Sequence, residues 1–181
     1  MLNGIVLNFT NEFKYLGVFI TSGTTLKFNT DVNKSKCYRI MNSILSKCGN
    51  KPEIVISLCD AYCFPVLLYG SETMMLNKSQ KTSLDSTVKR LCYKLFNSND
   101  EHVIKQCQYY MSWLPTSYAI DLRSAKFYSN LANTDNVLLR SLFEKFGSHS
   151  LNDLSTKYCL PVGSAVTFKD HMWFHFIDSL V

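Results

Sequence analysis

The pattern of hydrophobic positions from Tyr15 to Ile20 fits a period of two. Tyr15, Gly17 and Phe19 fall on one side and Leu16, Val18 and Ile20 on the other, which predicts a strand. Gly4 to Phe9 is a second short apolar and β-branched run, with the polar Thr10-Asn11-Glu12 between the two. A β-hairpin near residues 5 to 20, turning at Thr10-Asn11-Glu12, is therefore expected, with the turn chemistry of Thr21-Ser22-Gly23-Thr24 after it.

Beyond residue 30 the period changes to that of a helix. Val32, Cys37, Ile40, Met41, Ile44, Leu45 and Cys48 recur at spacings of three and four, which predicts an amphipathic helix over 31–48 behind an Asn or Thr cap. Gly49-Asn50 should end it. Pro52 suits the first turn of a second helix, and the apolar run from Ile54 to Tyr69 reads as a helix buried on most sides, kinked at Pro65. Further helices are predicted over 79–96, 102–113, 116–131 and 137–146, the last stopped by Gly147, then over 151–158 and 166–180. The fold class is thus mainly α, a helical bundle preceded by an N-terminal β-hairpin. The expected divisions are residues 1–24, 25–97 and 98–181, with Asn97-Ser98-Asn99-Asp100 as the clearest break.

Composition narrows this picture. At 46% hydrophobic and 18% charged residues, the 181-residue chain can bury a real core, and only 7 glycines suit helices better than a barrel or sandwich. The net charge of +5 is unevenly placed: 12 Lys and Arg stand against 6 Asp and Glu up to Asn97, and 7 against 8 afterwards. A polyanion partner is expected for the first half only. The 7 cysteines are odd in number and fall mostly on apolar helix faces, as reduced, buried thiols in an intracellular (cytoplasmic or nuclear) protein would. No secretory signal is expected at Met1-Leu2-Asn3-Gly4, and no apolar run is long enough to span a membrane.

Two stretches carry a family resemblance: Phe13-Lys14-Tyr15-Leu16-Gly17-Val18, and Pro65-Val66-Leu67-Leu68-Tyr69-Gly70-Ser71-Glu72-Thr73 some fifty residues on, with a basic helix between them. In this order they resemble the region just after the catalytic palm in reverse transcriptases of LINE-type (non-LTR) retrotransposons. There a tyrosine-leucine-glycine hairpin closes the palm and a helical thumb follows. The resemblance is good over residues 5–97 and weaker through Leu114-Pro115 and Ile120-Asp121-Leu122-Arg123 to Phe146; the last 35 residues share none of it.

The resemblance implies a hairpin against the primer end, with Lys14, Tyr15 and Gly17 at the grip, and thumb helices along an RNA or DNA template–primer duplex. It does not bring the catalytic aspartates with it. The sequence has no Asp-Asp pair, and Asp31, Asp60, Asp85 and Asp121 lie singly on different predicted helices, whereas two-metal phosphoryl chemistry needs clustered carboxylates. The expectation is a catalytically inactive remnant, not an enzyme, without a cofactor or metal.

Nucleic-acid contact is then assigned to Lys14, Tyr15 and Gly17, to Lys34, Lys36, Arg39 and Lys47 of the first helix, and to Lys89, Arg90 and Lys94 of the third. Each set has a plainer reading, as core, bulge or solvated helix face. Tyr109, Tyr110 and Trp113 are candidates for base stacking or for core. His171 and His175, four apart, and Cys59 and Cys63 have spacings compatible with a metal but lack further ligands. The contrasting expectation is a helical protein-interaction module without nucleic-acid binding, able to self-associate through an exposed hairpin edge.

Overall fold

The computed structural model describes residues 10–24, 27–49, 51–159 and 165–180. It is mainly α-helical, with a three-stranded antiparallel sheet ahead of the helices. The strands β1 (Glu12–Tyr15), β2 (Val18–Thr21) and β3 (Lys27–Phe28) lie in the order β1-β2-β3.

The predicted strand from Tyr15 to Ile20 is in fact the tip of a hairpin. Tyr15 pairs with Val18, which leaves Leu16 and Gly17 as a two-residue turn. Both have positive φ, 46° and 85°, as a type I′ turn requires. Alternation alone could not show this, because the turn consumes two positions and preserves an apparent period of two. The predicted partner strand, residues 4–9, lies outside the described residues. Since β3 at Lys27–Phe28 belongs to the same sheet, the expected division after residue 24 cuts through one element of structure.

Helix α1 spans Asp31–Cys48 as its periodicity predicts, burying Asn33, Cys37, Met41 and Ile44. Gly49 ends it at φ 55°. Pro52 opens α2 (Pro52–Leu58), but the apolar run that follows does not continue as one kinked helix. A π-turn over Cys59–Cys63 comes first, then the short α3 (Phe64–Leu67). Pro65 has no N–H to donate to residue 61, and the wider turn absorbs that missing bond. The segment is also less buried than its composition suggests. Val55, Cys59, Cys63 and Leu67 face inward, while Ile54 and Tyr62 are exposed.

Helices α4 (Lys78–Phe96), α5 (Glu101–Tyr110) and α6 (Thr116–Ala132) follow. Asn77 and Gln80 close a reciprocal capping box at the start of α4. The predicted helix over 102–113 ends three residues early. Ser112 adopts φ 56°, and the Trp113 N–H returns to the Gln108 carbonyl at 2.8 Å, a Schellman-type stop.

The core does not part at Asn97–Asp100. Trp113, Ile104 and Ile120 pack in one cluster with Cys37, Leu67, Leu84 and Leu91, and Trp113 meets Phe64 edge-on at 4.7 Å. Each such side chain contributes about 1.5–3 kcal/mol by burial, so residues on both sides of the helix break stabilise one another. A second cluster, Ala125, Tyr158, Phe168 and Met172, begins midway along α6.

Gly147 does not stop its helix either. Helix α7 (Val137–Leu142) passes through a second π-turn, Phe143–Gly147, into α8 (Ser148–Tyr158). Gly147 is buried, and a Cβ there would lie 2.7 Å from Phe143 Cδ2 and 3.0 Å from Tyr128 Cδ1. Close packing, not termination, explains this glycine. Helix α9 (Ala165–Asp178) packs on α6 and α8.

Candidate nucleic-acid interface

Between Asp31 and Glu53 the chain carries Lys34, Lys36, Arg39, Lys47 and Lys51 and no acidic residue. The fold turns this into a surface by laying α4 beside α1 in the same direction. Lys34 Nζ donates to Ser83 Oγ at 2.7 Å, the Arg90 guanidinium sits 5.8 Å from the centre of the Tyr38 ring, and Lys94 Nζ donates to Asn42 Oδ1 at 2.7 Å. Partners advance together along both helices, so Arg90 and Lys94 flank one side of the exposed α1 face.

Lys36, Ser43 and Lys47, with Arg39 beside them, occupy its other side at helical spacing. Lys36 and Lys47 are 11 positions apart, about 16 Å along the axis. Between the two flanks stand the exposed neutral groups of Ser35, Asn42 and Ser46.

The assigned cations are not equivalent. Lys34 is tied to Asp31 at 2.6 Å as well as to Ser83, and Lys89 to Glu101 at 2.9 Å, which holds that carboxyl below its usual range. Their charge is already answered, although Lys89–Glu101 is exposed and worth little. Lys36, Arg39, Lys47, Arg90 and Lys94 make no ion pair among the described residues. Among the described residues Lys94 bonds only the neutral Asn42 amide, and it is exposed.

The hairpin set resolves differently. Lys14 and Tyr15 are exposed, with the Lys14 ammonium 5.9 Å from the Phe19 ring of the paired strand. Gly17 is occupied from within the molecule. A Cβ there would meet Tyr69 Cε1 at 3.0 Å, and the Tyr69 hydroxyl donates to the Leu16 carbonyl at 3.0 Å. A Cβ on Gly70 would likewise meet Val18 Cγ2 at 3.0 Å. Asn33 of α1 donates to the Tyr69 carbonyl at 3.2 Å. The two stretches that carry the resemblance are therefore one contact, and Gly17 serves the approach of Tyr69.

The acidic residues are scattered by role. Asp31 pairs with Lys34, Asp85 accepts from the Ser117 N–H at 3.2 Å, and Asp60 is exposed on the π-turn. Burial raises Asp85 above the usual carboxylate range. Asp121 is 3% exposed and holds together α4, α6 and α8, accepting from Lys81 at 2.7 Å, Lys157 at 2.7 Å and the Tyr158 hydroxyl at 2.8 Å. Burial opposes its ionisation, but the two ammoniums and the phenol outweigh that penalty and keep its carboxyl low. Tyr158 is pushed up by burial and by the Asp121 charge.

Among the described residues no three His, Cys, Asp or Glu side chains form a group that could hold a metal. His175 Nδ1 is engaged by the Tyr118 hydroxyl at 2.9 Å. Cys59 and Cys63 lie in the core with Cys37, where hydrogen bonding to Cys63 and burial push the Cys37 and Cys59 thiols up. Trp113 is core, whereas Tyr110 is 82% exposed. Tyr62, Tyr38 and Asn42 were not legible as site residues. Tyr62 hides in an apolar run whose composition does not say which positions face outward.

No protein-family model, curated protein or solved structure matches this chain. Among the described residues no helix is long and apolar enough to cross a membrane.

Proposed function

We propose that this chain is a non-catalytic, thumb-like module that binds nucleic acid through its phosphate backbone without reading sequence. The observation that supports the reading is the exposed face of α1 with the adjoining flank of α4. Lys36, Arg39, Lys47, Arg90 and Lys94 surround neutral hydroxyls and amides there, with no acidic residue on α1 after Asp31. Lys and Arg positioned along helices, with Ser and Asn between them, suit phosphate and sugar oxygens and carry no base-edge code. The resemblance to the segment after a reverse-transcriptase palm points to the same ligand class, a template–primer duplex of RNA or DNA.

The site is thereby revised. Lys34 and Gly17 serve the fold, Lys89 is already paired, and Lys14 and Tyr15 stand apart on the hairpin. Neutralising Arg39 and Lys47 tests the reading. Binding of a generic duplex should weaken and its salt dependence flatten, while Lys34→Gln should leave that dependence unchanged.

One feature favours a second reading, a protein-interaction module. Val137, Leu138, Leu142 and Phe146 of α7 and its π-turn are all exposed, and large apolar side chains exposed together on one short segment suit a protein partner. Concentration-dependent light scattering tests it, association being expected only if this face finds a partner copy.

A further inference from the structure

A groove of about 420 Å³ runs between α1 and the first π-turn, lined by Arg39, Ile40, Ser43, Ile44, Lys47, Cys48, Leu58 and Tyr62. Its floor is aliphatic, its wall is an aromatic ring, and the two cations have no ion pair among the described residues. No acid lines it. Asp60, the only carboxylate of the π-turn, lines a different cleft with Phe64, Arg123 and Trp173.

Tyr62 lies in an apolar run, within the first π-turn, yet is 60% exposed. An α-helical turn advances each residue by a fixed rotation, and a wide turn shifts that rotation for the residues inside it. Here Cys59 and Cys63 remain buried while Tyr62, one position earlier, stands free. A tyrosine offers a large flat face at small cost in side-chain freedom.

We propose that this groove takes an unpaired base of single-stranded nucleic acid, stacked against Tyr62 over Ile40, Ile44 and Leu58, with its flanking phosphates on Arg39 and Lys47. The inference rests on the phosphate-binding surface above and names its substrate more closely. Stacking on an aromatic wall beside free cations is how single strands are held without sequence preference, since every base has a π-face. A paired base inside a blunt duplex is not free to enter such a groove. The chain should therefore prefer a single strand, or a duplex with an overhang, to a blunt duplex.

Fluorescence anisotropy tests this with a 12-mer of thymidylate, a 12-mer of uridylate, the same thymidylate backbone with abasic sites, and a blunt 12-base-pair duplex. Both single strands should bind more tightly than the blunt duplex. Tyr62→Ala should weaken them roughly tenfold while leaving the duplex unchanged, and the abasic strand should bind the wild-type protein as weakly as the intact strand binds Tyr62→Ala. Tyr62→Leu, which keeps apolar bulk and removes the ring, should match Tyr62→Ala; Tyr62→Trp should retain binding.

Two results would overturn the proposal at different levels. If Arg39→Gln weakens binding while Tyr62→Ala, Tyr62→Leu and base removal do not, the stacking groove falls and the phosphate surface stands. If the wild-type protein binds none of the probes at low salt, both fall.

Discussion

The Tyr69 hydroxyl donates to the Leu16 carbonyl across a β-turn 53 positions earlier in the chain. The turn needs positive φ at both Leu16 and Gly17, and the missing Cβ of Gly17 is what lets the Tyr69 ring approach. Residues 13–18 and 65–73 therefore constrain each other physically. Tyr69→Phe should cost about 0.5–1.5 kcal/mol for the lost hydrogen bond. Gly17→Ala, strained in backbone and crowded by the ring, should cost about 1–3 kcal/mol. Urea unfolding measures both, and the double variant should cost less than the sum of the two. Additive losses would show that the contact is not shared.

Gly147→Ala separates two roles for one glycine. A helix-stop glycine in the left-handed region would resist alanine through backbone strain, but Gly147 is helical at φ −94°, so only packing opposes the substitution. With Phe143 Cδ2 2.7 Å from the added Cβ, thermal unfolding should show a loss of about 1–3 kcal/mol. A neutral or stabilising outcome, which a helical glycine with open space beside it would give, would contradict the close packing against Phe143 and Tyr128.

The Asp121 network gives stability a defined pH dependence. Its carboxyl is held below the usual value, so its contribution is complete above the unfolded carboxyl pKa of about 3.9 and is lost as pH falls through the lower folded value. Asp85, raised by burial, acts in the opposite sense and favours the folded state most at low pH. Asp121→Asn should therefore destabilise the protein by about 1–3 kcal/mol at neutral pH and by progressively less through the acid limb. Denaturant midpoints from pH 7 to pH 3 report it. An equal loss at every pH would show that the network's charge is immaterial.

Much of the fold could be read from periodicity, because α1 and α4 each present one apolar stripe to the core and begin and end on residues with clear capping chemistry. Where the reading failed, a tertiary contact overrode a local signal. Gly147 resembles a helix stop until Tyr128 and Phe143 are seen against it, and Leu16-Gly17 resembles mid-strand until Tyr15 is found paired with Val18. The same holds for the site. A basic α1 was plain, but Lys34 is paired locally with Asp31, and that Arg90 and Lys94 stand beside α1 follows only from the parallel placement of α1 and α4. Tyr62 was lost inside an apolar run in which Ile54 is exposed as well, because composition alone does not say which positions of such a run face outward.

The most direct test of the central claim is the affinity for a generic duplex as a function of salt. If Lys36, Arg39, Lys47, Arg90 and Lys94 meet phosphates, log K should fall against log salt with a slope of about −4.5. The Arg39→Gln, Lys47→Gln double variant should flatten that slope by about 2, and Lys34→Gln should leave it unchanged. A slope near zero, or one that the double variant does not alter, would contradict the assignment of this surface to nucleic acid.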